Sequence, residues 1–539
     1  MGKVAEYLRS HLDGEITDAS DVREHFSQDA GLFKITPEAV AYPFNEQDIR
    51  KITRFSWQLA EKGRKVAVTS RGLGSDWTGG AVGESIVIAT TTHMNKLLEL
   101  DSRKGQVVLD PGATIGKINQ TLITHGLFLP FEPISSEFST IGGAVATNAS
   151  GIRSAKYGTA GSGVNSLRVV LSTGEVITTG RITKREFNKR MGLATFEGEL
   201  YRGLDAILNE NADAIASFQG KKEFAPLNIF DVRSKDGSVD LTPLFVGSQG
   251  TLGVVSQIRV AMTAYNPNLT HIVLGFYSED EFFAVMPELA KLKPSILTVL
   301  PKQTSQLYAG LNPLFIGKKF GDKLPEYVVL VEFDEFATRS QKRSLKKVKK
   351  ICSKSDVVVL VADTERHREE LSKFFRIPAT LLQSEIEQSR TAPGLESSYI
   401  PAESLKEVLS GMRELFSKNG VKHMTWYDYQ TGVIRTFPYL DLRQLGHRQK
   451  LSRLVELYRD LILQNSGLVG IQGGGRVSAA FHKEMVGDVL YGVMLKIKQL
   501  FDPYNVMNPG VKFGVDPKAI STKTIQGYSH GNKHNYLPK

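Results

Sequence analysis

The sequence predicts an α+β protein of more than one domain, with a glycine-rich cradle in one part and a ferredoxin-like antiparallel sheet in another. Three observations predict it. At 539 residues the chain is too long for a single hydrophobic core. A β-rich run, Val66-Ala67-Val68, ends in a loop holding Gly72, Gly74, Gly79, Gly80 and Gly83. From residue 265 onward a strand–helix–strand pattern occurs twice, which suits a ferredoxin-like sheet with helices on one face.

The elements follow in order. Residues 1–30 suggest one or two short helices. Asn45 heads a helix with Ile49, Ile52, Phe55 and Leu59 inward, leading into the Val66 strand and its loop. Glycines let a backbone bend sharply and approach a ligand closely, and a nest of inward N–H groups can hold a pyrophosphate. An ordinary glycine-rich turn is the competing reading. A Rossmann fingerprint fails on spacing, because Trp77 stands third after Gly74 where a glycine is needed. Next, Thr114 caps a helix with Ile115, Ile118 and Leu122 on one face, and Gly126 stops it. Pro130-Phe131-Glu132-Pro133-Ile134-Ser135 follows, then the block from Thr140 to Gly151, TIGGAVATNASG. Lys156-Tyr157-Gly158 precedes a strand from Leu167 to Leu171, and Val246-Gly247-Ser248-Gln249-Gly250-Thr251-Leu252-Gly253-Val254-Val255 precedes another. The later pattern is HIVLGFY, a helix near 280–292 and SILTVLP, then YVVLVEF, a basic helix and DVVVLVA.

These blocks, in this order and over nearly the whole chain, resemble the flavoproteins of the vanillyl-alcohol-oxidase fold. The branch most resembled holds FAD-linked D-lactate and glycolate dehydrogenases, whose blocks read RGxGTxxxGG, TIGGxxAxNAxGxxxxxYG and GSEGTLGVV. The resemblance implies a two-part PCMH-type FAD-binding domain over residues 1–264 and a ferredoxin-like cap, or substrate, domain over 265–440. It further implies a segment at 441–519 that returns to the FAD domain, leaving 520–539 as a polar, basic tail. Arg71, Gly72, Leu73, Gly74, Ser75 and Asp76 would form the cradle. Pro133, Ile141, Gly142, Gly143, Asn148, Gly151 and Tyr157 would line the flavin, with Gly253, Val254 and Val255 near the cofactor's far end. The closing FDPYNVMNPG matches the family's FDPxxxxNPG and brings Asn508 to the flavin. Relatives with covalent flavin carry His or Cys at tether positions where this chain has Leu73, Ser75 and Asp76, so FAD is expected to be non-covalent. Relatives place an arginine at Arg376 to grip the substrate carboxylate, a task suited to a bidentate and always charged donor.

The departures bear on mechanism. Metal-dependent relatives read HxGxGxxH and EHGxGR, which give two His and one Glu to a divalent metal. This chain has Asp428-Tyr-Gln-Thr-Gly432-Val-Ile-Arg435 and Ile471-Gln472-Gly473-Gly474-Gly475-Arg476 instead. His423, His447 or Asp428 are the nearest substitutes, and no His/Glu cluster of metal-ligand spacing survives. The expectation is no metal. A protein cation or base must then hold the alkoxide, the task a metal performs as Lewis acid. Tyr427, Asp428, Tyr429, Arg435 and Arg476 are candidates, with His482 further out. Arg435 and Arg476 would replace the metal's charge, or merely fill its pocket with a salt bridge to Asp428. Gln249 also stands where the family has Glu. Two classes of function stay open. One is an FAD-dependent dehydrogenase of a 2-hydroxy acid such as D-lactate, or a metal-free sugar or aldonolactone oxidase of the same mechanism, passing electrons to a quinone or a partner protein. The other is a flavin-binding electron-transfer subunit that has lost the ancestral chemistry.

Composition sets the bounds. Hydrophobic residues make up 41% and charged residues 23%, as in an ordinary globular protein. No apolar run of about 18 residues exists to span a membrane, and the N-terminus lacks a signal-peptide core. The expected location is cytoplasmic, with peripheral contact at the inner membrane face as an option. The single cysteine, Cys352, forbids an internal disulfide and a cysteine-ligated iron–sulfur cluster in this chain. The net charge of +10 is concentrated between Arg339 and Lys350, where Leu345, Val348, Ile351 and Cys352 form the apolar face of a helix. That helix is either a solvated surface helix or a docking patch for an anionic membrane or acidic electron carrier. Nucleic acid is not expected as a partner, because no recognition module accompanies the charge.

Overall fold

Three sheets organise the chain in a computed structural model, which describes residues 3–131, 133, 136–321, 323–362, 364–470, 474–515 and 523–526. The first sheet grows from short apolar runs: β1 (Glu15–Thr17), β2 (Ala39–Tyr42), β3 (Val68–Arg71) and β4 (Ile86–Ala89), with α1 (Glu46–Glu61) between β2 and β3. The strand order is β1-β2-β4-β3, with β4 parallel to both neighbours. Parallel strands need a crossover, and α1 provides one. Its N-cap is as predicted: the Asn45 side-chain oxygen accepts from the N–H groups of Gln47 and Asp48, and Ile49 and Ile52 are fully buried. Asn45, Ile49 and Ile52 were therefore legible, and α1 aims β3 at the glycine loop.

The second sheet comprises β5 (Leu97–Asp101), β6 (Gln106–Leu109), β7 (Val164–Val170), β8 (Val176–Thr178) and β9 (Val254–Ala261), in the antiparallel order β5-β6-β9-β7-β8. Burial alternates residue by residue along β9, so one face meets the core. Between β6 and β7 lie α2 (Ile115–Ile123), α3 (Ile141–Ala146) and α4 (Ser154–Tyr157). Ile115, Ile118 and Leu122 of α2 face that core, and Gly126, at φ +70°, ends the run.

The third sheet holds β10 (Thr270–Phe276), β11 (Ile296–Pro301), β12 (Tyr327–Phe333), β13 (Val357–Val361), β14 (His423–Asp428) and β15 (Val433–Leu440). Along β13-β10-β12-β11 all neighbours are antiparallel, which is the ferredoxin-like order 4-1-3-2, and β14 and β15 extend it. The expectation of helices on one face needs correction. α5 (Glu279–Ala290) and α6 (Thr338–Cys352) cover one face, while helices Lys302–Leu311 and Pro313–Phe320 and α7 (Glu365–Phe375) cover the other. The reason is readable in β12: Tyr327 to Val331, YVVLV, is an unbroken apolar run rather than an alternating one, and all seven residues of the strand are buried.

After α8 (Leu445–Gln464) the chain runs back to the first two sheets. In α9 (Asp488–Phe501), Val493, Met494, Ile497 and Phe501 join the core beneath the second sheet. Met507 then pairs with Val68 of β3 in a parallel bridge. Of the tail expected at 520–539, all but 523–526 lies outside the described residues, as do Ile471, Gln472 and Gly473. No helix among the described residues is long and apolar enough to cross a membrane.

Candidate functional site

β3 delivers Arg71 as its last residue, and the glycine loop starts there. Two glycines are required by their surroundings. A Cβ on Gly72 would sit 2.2 Å from Thr140 Oγ1, the hydroxyl that caps α3 by accepting from the Gly143 N–H. Gly74 has φ +70°, and a Cβ there would sit 2.4 Å from the Arg71 guanidinium. The loop is folded from within by Asp76. Its carboxylate accepts from the Thr78 N–H (3.2 Å), the Thr78 hydroxyl (2.6 Å) and the Gly80 N–H (3.2 Å), and burial raises its pKa. Beneath it Asp29 accepts from the N–H groups of Gly31 and Ala81. Burial, followed by the Asp76 charge, pushes Asp29 up to about 7. Arg71 is buried too, donating to the Phe26 and Ala81 carbonyls, with its guanidinium 5.1 Å from the centre of the Phe26 ring.

Between this loop and α3 opens a cavity of about 1450 Å³, counting the solvent at its mouth. Its walls come from all three sheets. Arg71, Gly72, Leu73, Gly74, Ser75 and Asp76 line one side, and Pro133, Gly142 and Gly143 line another. Gly253 and Val255, at the start of β9, close the far end, and Ser397 and Arg435 face in from the third sheet. The sequence pointed to neither Trp77, Thr140 and Phe245 nor Ser397, although they line it too. Thr140 had a readable signal, a threonine three residues before Gly143 at a helix start. Ser397 had none.

The walls fit a long, flat ligand with a diphosphate. They present backbone and small hydroxyls at the glycine loop, and one polar atom left without a partner. Gln249, only 4% exposed and held at φ +51°, donates from Nε2 to Thr78 Oγ1 at 2.8 Å, which leaves its Oε1 buried and unsatisfied. An unsatisfied buried acceptor is costly unless a donor arrives, and a ring N–H is such a donor.

Several expected flavin contacts lie elsewhere. Ile141 and Val254 are packed into the core behind the wall, because α3 and β9 turn those side chains away from the cavity. Asn148, at φ +48°, uses Oδ1 to accept from the Gly161 N–H, and the Gly151 N–H donates to Ser154 Oγ, so both shape the turn after α3. Tyr157 donates its hydroxyl to Asp334 Oδ2 at 2.5 Å and so meets the third sheet. Asn508 is a tie: Nδ2 donates to the Gly80 and Gln249 carbonyls at 2.8 and 2.7 Å, and Oδ1 accepts from the Thr69 hydroxyl.

Of the five catalytic candidates, one lines the cavity. Arg435 is buried on β15, donates to the Ser150 hydroxyl and lies 5.8 Å from the Trp426 ring centre. Burial lowers it to about 10, partly opposed by the Asp428 charge. Tyr427 is fully buried with its hydroxyl on the Ile400 carbonyl at 2.9 Å. Asp428 accepts from the N–H groups of Gln430 and Thr431, closing the β14–β15 turn, and burial pushes it up to about 6. Arg476 spreads its guanidinium over backbone carbonyls of Gly79, Val82, Pro509 and Gly510, pinning the glycine loop to the closing segment. Arg376 is exposed at the end of α7 and lines no part of the cavity.

The substitute metal ligands are not brought together. His423 stacks on Phe416 at 3.9 Å, and burial lowers it to about 4. His447 accepts the Asp441 N–H through Nδ1, and His482 is buried against the Lys512 carbonyl. Among the described residues no group of three His, Cys, Asp or Glu is arranged to hold a metal.

Comparison with known proteins gives the following. Residues 37–180 match the family described as FAD binding domain, and residues 266–511 match the FAD linked oxidases, C-terminal domain. D-2-hydroxyglutarate dehydrogenase of Pantoea ananatis (strain AJ13355) is 23% identical over 508 residues, covering 90% of this chain and 49% of that protein. Glycolate oxidase subunit GlcD of Bacillus subtilis (strain 168) is 24% identical over 516 residues, covering 93% of this chain and 94% of that one. The chain thus spans about half the length of the D-2-hydroxyglutarate dehydrogenases it matches. The solved structure of p-cresol methylhydroxylase with substrate bound has a TM-score of 0.68 at 12% identity, covering 95% of this chain and 96% of that one, and shares the fold.

Proposed function

The chain belongs to the FAD-linked oxidases of the vanillyl-alcohol-oxidase fold, and on that premise we propose that it oxidises a 2-hydroxy acid of the D-lactate type. Arg71 to Asp76, Pro133, Gly142, Gly143, Gly253 and Val255 would hold FAD, non-covalently, with Gln249 Oε1 taking one of its donors. When bound, FAD supplies the hydride acceptor, N5, for the alcohol carbon.

One observation carries the reading: Arg435 is a buried guanidinium that the third sheet adds to a cavity wall whose other charged side chains among the described residues, Arg71 and Asp76, belong to the glycine loop. A cation desolvated there favours an anion beside it, either the substrate carboxylate or the developing alkoxide. Ser150 fixes the guanidinium and Trp426 backs it, so it is oriented before substrate arrives. Oxidation also releases the hydroxyl proton, and among the described residues Asp76 is the only carboxylate on the cavity wall. Where the alkoxide is the anion beside Arg435, the guanidinium charge takes the task that a metal performs as Lewis acid. Arg376, exposed at the end of α7 and outside the cavity, is the alternative cation for an acidic substrate. Electrons leave to a quinone or a separate acceptor protein, with peripheral contact at an anionic membrane. Sugar acids and aldonolactones are the alternative substrates of the same mechanism. A second reading, an electron-transfer subunit without substrate chemistry, is favoured by Tyr427 and Asp428, both already committed to structure.

The deciding experiment is the visible flavin spectrum before and after anaerobic D-lactate, D-2-hydroxyglutarate and glycolate, with and without a chelator. Bleaching by a hydroxy acid regardless of chelator is expected. Bleaching only without chelator would restore a metal. A flavin unreduced by these acids, by sugar acids and by lactones would leave the electron-transfer reading standing.

A further inference from the structure

We propose that the exposed face of α6 is a docking surface for an anionic lipid bilayer, an inference that rests on the reading above that electrons leave toward a quinone or separate acceptor. The helix reads TRSQKRSLKKVKKIC and contains no carboxylate. Val348 and Cys352 are buried and Leu345 and Ile351 pack against the same core. Arg339, Lys342, Arg343, Lys346, Lys347, Lys349 and Lys350 are all exposed. At 3.6 residues per turn these seven cations fall within an arc of about 160° opposite the buried stripe, over a length of roughly 17 Å.

Surface helices usually interleave opposite charges, and the means to do so is at hand. α5 packs beside α6 and is acidic, yet its carboxylates are used elsewhere. Glu279 pairs with Arg413 at 3.3 Å, Asp280 with Lys406 at 3.3 Å and Glu288 with Lys291 at 2.5 Å. Glu281 accepts the Asp356 N–H at 3.0 Å. Among the described residues none of the seven cations lies within 4.0 Å of a carboxylate. Seven like charges crowded without counterions repel one another, so a plane of anions brought against them is favoured. Phe336, 64% exposed and two residues before α6, sets an apolar ring beside the cations.

These features fit a bilayer better than a shaped partner. No α6 residue lines the cavity, and the face is one convex helix. A membrane surface needs no shape match, and clusters of about four to eight Lys or Arg on an amphipathic helix suit anionic headgroups, with a flanking aromatic at the interface. Because the apolar stripe of α6 is already used in the core, attachment is electrostatic, peripheral and salt-sensitive.

The test is co-sedimentation of the full-length, FAD-loaded chain with vesicles of phosphatidylcholine alone or mixed with phosphatidylglycerol. The chain should pellet only with phosphatidylglycerol at about 0.1 M salt, and be released at about 1 M. Combining Lys342→Glu, Arg343→Glu, Lys346→Glu and Lys347→Glu should cut partitioning on the order of 100-fold or more, while the flavin band shows that the variant is folded. The four corresponding Gln substitutions should weaken it less. A wild-type chain that stays in the supernatant, or a charge-reversed chain that pellets equally well, overturns the proposal. Vesicle binding requires no substrate, so its failure leaves the hydroxy-acid reading standing. A chain that pellets but is reduced by no hydroxy acid fails that reading alone.

Discussion

The Arg153 guanidinium grips the Glu332 carboxylate with two hydrogen bonds, Nε to Oε1 at 2.7 Å and Nη2 to Oε2 at 2.9 Å. Arg153 lies three residues beyond Ser150, which touches Arg435 in the cavity, and Glu332 lies on β12 of the third sheet. The segment that walls the cavity is thereby fastened to the sheet that supplies Arg435. His271 Nε2 at 2.9 Å and Ser295 Oγ at 2.9 Å complete the carboxylate's partners. Burial alone would raise Glu332, but the hydrogen bonds from Arg153 and His271 and the Arg153 charge outweigh it and hold the carboxyl at about 2.

Removing one partner of a buried pair strands the other's charge. Arg153→Ala should therefore destabilise the protein by about 3 kcal/mol at pH 7. Glu332 is depressed from its ordinary 4.5 to about 2, so its contribution is complete above pH 4.5 and is lost as pH falls toward 2. The variant should show a flatter loss of stability on acidification than the wild type. Thermal unfolding at pH 7 and at pH 4 measures both, and equal stability at pH 7 would remove the latch.

Gly72→Ala should leave the fold intact and abolish FAD retention. The added methyl meets Thr140 Oγ1 at 2.2 Å, so either the α3 cap is pushed aside or the loop lifts, and both distort the cavity wall. Gly74→Val acts differently, forcing a branched residue into φ +70° against the Arg71 guanidinium. Flavin content per folded chain is the readout. Full occupancy in Gly72→Ala would show that this loop is not the cradle.

Arg435→Ala should raise KM for a 2-hydroxy acid at least about tenfold, the cost of losing one charge-assisted hydrogen bond of about 1.5–3 kcal/mol. Arg435→Lys should recover only part of it, because a point charge cannot reproduce a planar fork. Arg376→Ala should raise KM less, since that side chain is exposed and outside the cavity. Steady-state kinetics with an acidic and a neutral substrate separate the cases, and the larger effect at Arg376 would reverse the two assignments.

What the sequence revealed depended on whether a residue's task is local. The Asn45 cap, the α2 stripe and the ferredoxin-like order follow from neighbours in the chain, as do the glycines at φ +70° to +77° in the loop. The helices on the second face of the third sheet follow from the apolar run Tyr327 to Val331 in β12, which the strand–helix–strand repeat alone does not indicate. Arg476 and Asn508 looked like site residues because they sit in motifs beside a ligand. Their partners, carbonyls of Gly79, Val82 and Gly80, lie hundreds of residues away, and only the folded chain shows that they tie the cradle from behind. Tyr157 likewise takes a partner, Asp334, that no local pattern indicates.

Glu396 sits beside Ser397 of the cavity wall, 6% exposed, with Oε2 accepting from the Ser478 N–H at 3.2 Å and Oε1 without a partner. Burial, with the Asp76 charge adding to it, pushes the carboxyl up from 4.5 to about 7. Between those values the native state holds a proton that the unfolded chain has released, so stability falls as pH rises through this window. Glu396→Gln cannot titrate, and its amide keeps an acceptor for Ser478 while offering donors where Oε1 had nothing. The variant should match the wild type near pH 4.5 and become relatively more stable as pH climbs to 7, with a difference on the order of 2 kcal/mol. Denaturant unfolding at half-unit pH steps measures the two curves. Parallel curves would mean that Glu396 is ionised at neutral pH and paired in a way the hydrogen bonds here do not provide.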